Sequence, residues 1–596
     1  MSKNKKQRTP RSSGFSILEV LQGQVPVVED TVEILECPHL DTSPLQVLKQ
    51  AKFRKERKEG KEQELPDSIF EATIQAEQKV SLLLYDYLGQ KLKSLADKTL
   101  EVNFPWRLRV GGLPGFRNLL LPAMHTTYGI PYVPASSLKG VVREWAEQQD
   151  DTIRSQVRSM LGYLDMQAKE DKASLGKVQF LDAFPTGKCL SIDLANPQWH
   201  WPKQKKIYNP ELPIEYNPQP HALLSLENAT LIIGLKATQL GSKEDVDTVA
   251  AWLEEALKYG LGSRISGGYG CAKGNVKKTR LSREYPFQFW SQGMYGYSTT
   301  NPEFRPVAVR GVMRYWFRAI ALSLYDPKTV QILEGKLFGT IEPKAIRGSL
   351  RISIEAIEHG LNPFRISGKI RLEASSEKHL VFAQALLNLA SSLSGCGRGS
   401  RRPLHWNNGR LRGCHWEIGD IAIAMTGEAW SKLLKEVRLT LQAVQEEFED
   451  LQPKKPRRMN SEHRSQDVLD ISTHIYLLKS PKLKHPKDVQ DERWSTEGSK
   501  YQITGEGLEF LYGNDNYKGK SMENPGNPNV GGAVTKEGGI PSFVLIKSIF
   551  PAVGDPYQVV TVFDVDGHLD RKAFTDAINE RYIKKKGGIQ VWPPTC

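Results

Sequence analysis

The chain of 596 residues has no run of about 18 apolar residues, the length that a membrane-spanning helix needs. Its first residues, MSKNKKQRTPR, are basic and are not followed by the apolar stretch of a secretory signal. No CxxC pair occurs, which argues against a zinc ribbon or a disulfide framework. We therefore expect a cytoplasmic protein that has no membrane, metal or cofactor partner. The cysteines are Cys37, Cys189, Cys271, Cys396, Cys414 and Cys596.

Two nucleotide-binding signatures are also missing. Neither GxxxxGK[ST] nor the dinucleotide fingerprint with its following acid occurs, so nucleotide hydrolysis of the Walker type is not predicted. Positive charge, in contrast, is in excess: 81 lysines and arginines against 68 aspartates and glutamates give a formal net charge of +13. This surplus favours a polyanionic partner, nucleic acid first, although a surplus of this size also serves simply to keep a large chain soluble.

The order of predicted helices and strands indicates an α+β protein with more than one domain. Residues 1–65 are rich in basic side chains, and we expect a flexible segment there. Residues 66–285 are predicted to form a first domain and residues 286–596 a second. The second domain is expected to include a helical insertion at 427–451, whose heptad-like apolar spacing suits packing inside the protein or against another subunit, and a mobile loop at 505–540.

One sequence feature occurs twice: a proline turn, a basic residue, a glycine and an amphipathic helix with an Arg-x-Trp spacing. The copies run from Pro134 to Trp145 and from Pro306 to Trp316, and their apolar residues are expected in the core. Ser136 and Ser137 are predicted to cap the first helix, where N–H groups and the helix dipole favour a phosphate. The candidate basic contacts at the two helix starts are Lys139, Arg143, Arg305, Arg310 and Arg314.

A loop rich in glycine and arginine follows a helix in each half of the chain. We call GLGSRISGGYG at Gly260–Gly270 the first glycine loop and GCGRGSRR at Gly395–Arg402 the second glycine loop. Glycine permits positive φ and a close approach of the backbone to a phosphate, and arginine forms forked bonds with phosphate oxygens. The predicted RNA-binding residues are Gly262, Arg264, Gly267, Gly268, Gly397, Arg398, Arg401 and Arg402.

These motifs resemble the RAMP superfamily, the repeat-associated RNA-binding proteins of CRISPR systems. The resemblance rests on YGIPYVPASSLKGVVREW at 128–145 and on the first glycine loop. Residues 100–275 look like the sixth backbone subunit of the type III-B (Cmr module) effector, and residues 297–410, with FRPVAVRGVMRYWFRA and GCGRGSRR, look like its first subunit. The chain is thus similar to a fusion of two subunits.

The resemblance implies two fused ferredoxin-like, or RRM-like, RAMP domains. It implies a CRISPR guide RNA held along their basic faces near the 3′ end of the guide, with target RNA contacted only indirectly. The expected protein partners are other type III effector subunits, including the large polymerase-like subunit and small helical subunits, in antiviral defence. Because the nuclease aspartate of such complexes usually belongs to other subunits, the resemblance favours a structural role over a catalytic one.

Two other functions stay open from the sequence. Some members of the superfamily are endoribonucleases that cut guide or target RNA, and His125 is the candidate general base here, although a lone histidine is more often structural. Asp182, which follows a predicted strand, is expected to brace a turn. The second alternative is a protein-interaction scaffold without RNA contact, which weak salt dependence of any RNA association would reveal.

Overall fold

Helices and antiparallel sheets alternate along the chain, which confirms the α+β class. The chain divides into two compact units, one of Met1–Asn196 with Pro220–Lys277 and one of Pro197–Gln219 with Lys278–Cys596. No helix in the described ranges is both long and apolar enough to span a membrane. The computed structural model describes residues 42–50, 67–111, 122–165, 172–195, 203–204, 207–208, 221–274, 281–298, 300–340, 346–361, 363–407, 410–419, 422–449, 451–456, 466–489, 503–518, 526–535 and 538–594.

The expected flexible segment at 1–65 lies outside these ranges except for residues 42–50, which include a helix. The helices of the first unit are α1 (Pro44–Gln50), α2 (Asp67–Lys79), α3 (Leu82–Leu95), α4 (Ala135–Ala146), α5 (Asp151–Leu161) and α6 (Lys243–Tyr259). Its strands are β1 (Lys98–Leu108), β2 (Tyr163–Asp165), β3 (Lys172–Ser174), β4 (Val178–Phe180), β5 (Phe184–Pro185), β6 (Leu190–Ala195) and β9 (His221–Ala237).

The long strand β9 organises the sheet of the first unit. It pairs antiparallel with β1 along one edge and with β4, β5 and β6 in succession along the other. Its sequence ALLSLENATLIIGLKA contains two mainly apolar runs, ALLSL and LIIGL, and both runs lie in the interior. Leu224, Leu231 and Leu235 are accordingly fully buried.

The second unit contains two four-stranded antiparallel sheets. The strands of the first sheet are β10 (Ser282–Ser291), β11 (Leu350–Leu361), β12 (Phe364–Ala374) and β15 (Cys414–Ile418), and those of the second are β16 (His474–Lys479), β19 (Val544–Ile549), β20 (Tyr557–Val562) and β21 (Ile589–Trp592). The first sheet has the strand order β11-β12-β10-β15 and the second the order β19-β20-β16-β21. Two short pairs, β7 with β8 (Lys203–Gln204, Ile207–Tyr208) and β13 with β14 (His405–Asn407, Arg410–Arg412), accompany them.

Each of these two sheets has the order second-third-first-fourth along the chain, with helices after the first and third strands. This is the βαββαβ arrangement of the ferredoxin-like fold. The helices of the second unit are α7 (Val307–Leu324), α8 (Pro327–Phe338), α9 (Glu377–Leu393), α10 (Gly427–Glu446), α11 (Glu506–Tyr512), α12 (Leu569–Ile578) and a last turn at Lys584–Lys586. The four strands between His474 and Trp592 thus form a further ferredoxin-like sheet inside the predicted second domain.

Helix α10 lies in the sequence between the two sheets of the second unit. Trp430, Leu434 and Val437 are buried in one hydrophobic core that takes residues from both sheets, among them Ile370 and Val559. The predicted apolar spacing of this helix therefore serves packing inside the protein, because its apolar stripe is covered by this core.

The expectation of a loop over 505–540 is wrong for part of that stretch. It contains α11, whose Leu508 and Leu511 are buried, and a hairpin of β17 (Ala533–Thr535) and β18 (Gly538–Ile540). The helical segment GLEFLY is short and lies among glycines and asparagines, so composition alone hides it. Buried leucines three residues apart are enough to hold one helical turn against the sheet.

The two repeated helices, α4 and α7, place their apolar residues as predicted. Trp145 and Trp316 each lie in the interior, and the Trp316 indole donates a hydrogen bond to the Ser394 hydroxyl at 2.9 Å. The residues confirmed as core are Val142, Trp145, Val312, Met313 and Trp316, while Val141 is half-buried.

Candidate functional site

The first glycine loop lies along strand β1 and is held there by backbone contacts. A parallel bridge joins Arg109 to Gly262, and the Gly270 N–H donates to the Arg107 carbonyl at 2.7 Å. Gly262 has a φ of +86°, and a Cβ added there would lie 2.2 Å from the Arg109 carbonyl oxygen. Only glycine fits this position, because the loop backbone packs directly against the strand.

Arg264 stands exposed in this loop in a left-handed conformation, with φ 62° and ψ 24°. It precedes a short 3₁₀ turn at Ile265–Gly267, and Gly268, with φ 93°, follows that turn. A non-glycine residue at positive φ is costly, and such strain concentrates at functional positions where the surrounding structure enforces it. The fold therefore holds this arginine in a conformation that it would not adopt by itself.

Two buried arginines, Arg107 and Arg109, accompany this loop. Arg107 is 4% exposed, and its Nη1 donates to the hydroxyl of Ser225 at 3.1 Å and to that of Ser191 at 3.3 Å. Its guanidinium also lies 3.7 Å from the Asp193 carboxylate. The charge of Arg107 is thus compensated inside the first unit.

Arg109 forms fewer hydrogen bonds than Arg107, although at 5% exposure it is about as deeply buried. Its Nη1 donates to the Ser263 hydroxyl at 3.0 Å, while Nε and Nη2 are buried without a hydrogen-bond partner among the described residues. Burial, reinforced by the positive charge of Arg264, lowers the pKa of Arg109 to about 10. An arginine with this pKa is still charged at pH 7, so the site under the first glycine loop is positive.

Asp193 anchors the far end of the first glycine loop. This aspartate is fully buried, and its Oδ2 accepts a hydrogen bond from the Tyr269 hydroxyl. The Tyr269 ring packs edge-on against Trp106, with ring centroids 4.8 Å apart. Because Asp193 also faces Arg107, one compensated network fixes the end of the loop and leaves Arg109 outside it.

The start of α4 differs in part from the prediction. Pro134 is the N-cap and makes no side-chain capping bond, whereas Ser136 and Ser137 lie inside the first turn, so the predicted capping by these serines is wrong. The Asp182 carboxylate instead accepts the Ala135 N–H at 2.8 Å, so this acid braces the helix start as expected. A carboxylate there already occupies the positive end of the helix, which reduces its capacity for a phosphate.

The two basic residues of α4 have different surroundings. Lys139 is half-buried, and burial together with the charge of Arg143 lowers its pKa. Arg143 donates to the Gly162 carbonyl at 2.8 Å at the end of α5. Arg143 thus joins two helices although it is exposed, and Lys139 is the more buried of the two.

The basic residues of the second repeat are engaged within the second unit. Arg305 pairs with Glu303, and Arg310 donates to the Phe338 carbonyl. Arg314 Nε donates to Glu334 at 2.8 Å. These three side chains therefore form internal contacts at the start of α7, and the same carboxylate of Glu334 also takes the fully buried Arg318 at 2.8 Å.

The second glycine loop separates its arginines into two groups. Arg401 donates to Asp467 at 2.6 Å and to the Ser542 carbonyl at 2.8 Å. Arg402 is 9% exposed and donates to the Val544 carbonyl at 2.6 Å, so both side chains brace the loop from within. Arg398 is exposed, with its guanidinium 5.3 Å from the centre of the Tyr295 ring.

Glycines of the second loop also adopt positive φ. Gly397 has φ 71° and Gly399 has φ 79°. A Cβ on Gly397 would lie 2.6 Å from Met294 Cε. Packing inside the unit therefore requires glycine at position 397, as it does at position 262. This requirement exists whether or not a ligand binds the loop.

His125 is hydrogen-bonded within its own turn. Its Nδ1 accepts the N–H groups of Thr127 at 3.2 Å and Tyr128 at 3.4 Å, and its ring stacks on Tyr128 at 4.7 Å. Burial lowers the pKa of His125, although the nearby Asp182 opposes this shift. An imidazole whose acceptor nitrogen is occupied by main-chain donors is a turn-stabilising group, so this arrangement does not supply the general base that cleavage needs.

A cluster of His415, Glu417 and His485 brings possible metal-ligand atoms within 4.8 Å of one another. Glu417 Oε1 lies 3.0 Å from His415 Nε2 and 2.7 Å from His485 Nε2. His485 Nδ1, however, accepts the Lys487 N–H at 3.0 Å, so the ring proton is on Nε2 and is donated to the carboxylate. A metal-bound Nε2 would require that proton on Nδ1, facing the Lys487 N–H. The cluster is therefore a hydrogen-bonded network.

Arg107 and Arg109 lie outside the motifs that predict the site from the sequence. The signal that could have found them is the alternation WRLRV at 106–110, which places two arginines on one face of a strand between apolar residues. Arginine is rarely buried unless it is paired, so two arginines in a core strand predict either an ion pair or a ligand. In the structure Arg107 is paired with Asp193, whereas Arg109 has no carboxylate partner among the described residues.

Comparison with known proteins finds similar solved structures and a matching family model. Among solved structures, the chain is similar to Cmr1 from Pyrococcus furiosus in its apo form, with 16% identity and a TM-score of 0.28 over 52% of this chain and 99% of that one. It is also similar to Cmr6 from Pyrococcus furiosus, with 20% identity and a TM-score of 0.18 over 30% of this chain and 97% of that one. No curated protein matches the sequence. The sequence model of the RAMP superfamily matches residues 99–273 of this chain.

Proposed function

We propose that the chain binds a CRISPR guide RNA as a structural subunit of a type III effector complex in antiviral defence. The RAMP match over 99–273 supports this function, as does the resemblance of residues 297–410 to a second subunit of the same effector. In this proposal the chain acts in the cytoplasm as a fusion of two backbone subunits, near the 3′ end of the guide. Its partners are the guide, other effector subunits and, indirectly, target RNA.

The observation that carries the proposal is the placement of Arg264. Its side chain is exposed, its backbone is held at positive φ, and the first glycine loop fixes it beside the buried cation Arg109. A guanidinium presented in this way can form forked hydrogen bonds with a phosphate, and such contacts bind RNA without reading its bases. Arg398 supplies the corresponding exposed guanidinium in the second glycine loop.

The surroundings of the remaining arginines narrow the proposed contacts. Arg401 and Arg402 direct their donors to Asp467, Ser542 and Val544, so their function is to hold the second glycine loop in place. Guide binding by the second unit then depends on Arg398. Substitution of each arginine by itself therefore tests which of them contacts the RNA.

Binding of a labelled single-stranded RNA to the full chain at several salt concentrations tests the proposal. We expect Arg264→Ala to weaken binding about tenfold for every sequence, because a phosphate contact carries no base information. The slope of log affinity against log salt should become shallower by about 0.7 for each phosphate that the variant no longer neutralises. The matched control is Arg158→Ala, an exposed arginine on α5 of the same unit, which should bind like the wild type.

Three results would overturn the proposal. Equal affinities of the Arg264→Ala and Arg158→Ala variants would remove the first glycine loop from RNA binding. An effector complex that is purified through this chain and contains no RNA would contradict the guide-binding function and favour a protein scaffold. RNA cleavage that is abolished in His125→Ala would instead identify a nuclease.

A further inference from the structure

Arg109 differs from the other buried arginines around the two glycine loops in its hydrogen bonding. Arg107 and Arg402, at 4% and 9% exposure, each donate several hydrogen bonds to carbonyl or hydroxyl oxygens. Arg109 is as buried as they are, yet only its Nη1 has a partner in the described part of the chain. No carboxylate in that part of the chain forms an ion pair with it.

Such an environment is unfavourable for the protein alone. A buried polar group without a hydrogen-bond partner loses its hydration and gains nothing in exchange, and the loss is larger for a charged group. Neighbouring positive charge from Arg264 adds repulsion, which is visible in the lowered pKa of Arg109. An arginine with a purely structural function would be paired with a carboxylate, as Arg107 is with Asp193. The Nε and Nη2 donors of Arg109, which have no partner among the described residues, therefore indicate that a ligand binds there.

We infer that Arg109 is a phosphate-binding residue beneath the first glycine loop, and that its Nε and Nη2 donate to the oxygens of one RNA phosphodiester. Nε and one Nη of a guanidinium lie side by side in the fork that matches two phosphate oxygens. The inference rests on the proposed RNA-binding function and adds a buried contact to the exposed contact of Arg264. One phosphate would then receive charge from both arginines.

Access to Arg109 requires a movement of the loop, because the Ser263 hydroxyl occupies its Nη1 and the bridge to Gly262 covers the strand. Gly262 and Gly268 border the segment Ser263–Gly267 and have φ values of +86° and +93°. Glycines at both borders can absorb a change of backbone angles that other residues resist. The phosphate contact therefore forms when this segment shifts on RNA binding.

The experiment combines thermal unfolding with RNA binding for the variants Arg109→Met and Arg107→Met of the full chain. In the absence of RNA, Arg109→Met should raise the unfolding temperature of the first unit by about 2 °C, because an uncompensated buried charge is replaced by an apolar group of similar length. It should lower the RNA affinity by about 10-fold to 100-fold. Arg107→Met should lower the unfolding temperature, because Asp193 then loses its cation.

A conservative variant separates charge from geometry. Arg109→Lys keeps the charge and loses the fork, so its RNA affinity should also fall, while the slope with salt stays close to that of the wild type. An unfolding temperature of Arg109→Met that falls as in Arg107→Met would show a structural arginine and overturn the inference. The inference would also be overturned if Arg109→Met bound RNA with unchanged affinity while Arg264→Ala bound it more weakly. This result would leave the proposed function intact. Absence of RNA binding by the wild-type chain would contradict the proposed function itself.

Discussion

Arg402 in the second glycine loop donates a hydrogen bond of 2.6 Å to the carbonyl of Val544, the first residue of β19. The same guanidinium reaches the Ser542 hydroxyl at 2.9 Å and the Gly531 carbonyl at 3.3 Å. This arginine therefore joins the loop between α9 and β15, the last strand of the first sheet of the second unit, to an edge strand of the second sheet. Arg402, which the sequence motif predicts as a phosphate contact, instead connects two parts of the second unit by hydrogen bonds.

We predict that Arg402→Met destabilises the second unit. The substitution leaves buried carbonyl groups without donors, and the expected loss is about 2–4 kcal/mol of unfolding free energy. Urea unfolding followed by tryptophan fluorescence measures it. Arg398→Met, with an exposed side chain in the same loop, should change the unfolding free energy by less than about 0.5 kcal/mol. Similar losses in both variants would contradict the internal function of Arg402.

Glu334 is the buried carboxylate that holds Arg314 and Arg318 on α7. Glu334→Gln should cost about 3–5 kcal/mol of unfolding free energy, because it leaves the fully buried Arg318 without its counter-charge. Burial already lowers the pKa of Arg318 to about 9. Thermal and urea unfolding of the purified chain are the measurements.

A double variant serves as the control for Glu334. Adding Arg318→Met to Glu334→Gln removes the uncompensated charge, so part of the lost stability should return. If the double variant were less stable than the single one by the full cost of a second independent substitution, the two residues would not be coupled. Glu580→Gln, at an exposed pair with Lys584, should leave the unfolding temperature unchanged.

Acid should destabilise the chain through His405. This histidine is 3% exposed, its Nδ1 lies 2.8 Å from the Pro403 carbonyl, and burial lowers its pKa from 6.5 to about 4. Because the folded pKa is depressed, the unfolded chain binds the proton first, and stability falls as the pH drops from about 6.5 to about 4. The expected contribution over this window is about 3 kcal/mol.

The variant His405→Asn keeps a donor for the Pro403 carbonyl but does not titrate in this range. Its urea midpoint should therefore fall less than that of the wild type between pH 7 and pH 4.5. His359→Asn, at an exposed histidine on β11, should show the wild-type dependence on pH. An unchanged pH dependence in His405→Asn would show that His405 binds its proton equally in the folded and unfolded chain, which would contradict its lowered pKa.

Much of the fold could be predicted because apolar periodicity marks helices and strands that pack on a core. The helix predicted from the pattern at Trp430 is present, with its apolar stripe buried. Periodicity does not show a local break within a helix. The apolar pattern from Ser68 to Leu95 predicts one helix, but Ser81 has an extended backbone. Its hydroxyl accepts the Leu83 N–H, so a second helix begins there. A single serine is enough to cap and restart a helix without changing the apolar pattern.

The candidate site was predictable in its location and not in the assignment of its arginines. Glycine at positions 262 and 397 indicates loops with positive φ, and both residues have positive φ in the structure. Whether an arginine beside such a loop binds solvent, a ligand or a carbonyl depends on residues far away in sequence. Arg402 finds its partners at 531–544, more than a hundred residues later, and no local pattern could show this.

The shared core of the second unit limits how this part of the protein can be shortened or recombined. Helix α10 and strands of both sheets, including Ile370 and Val559, contribute to one hydrophobic cluster, so a cut in the chain between β15 and β16 would expose apolar surface on both fragments. Neither fragment is then a self-sufficient folding module, despite its complete strand order. Chimeras with related chains should consequently exchange residues 278–596 as one block.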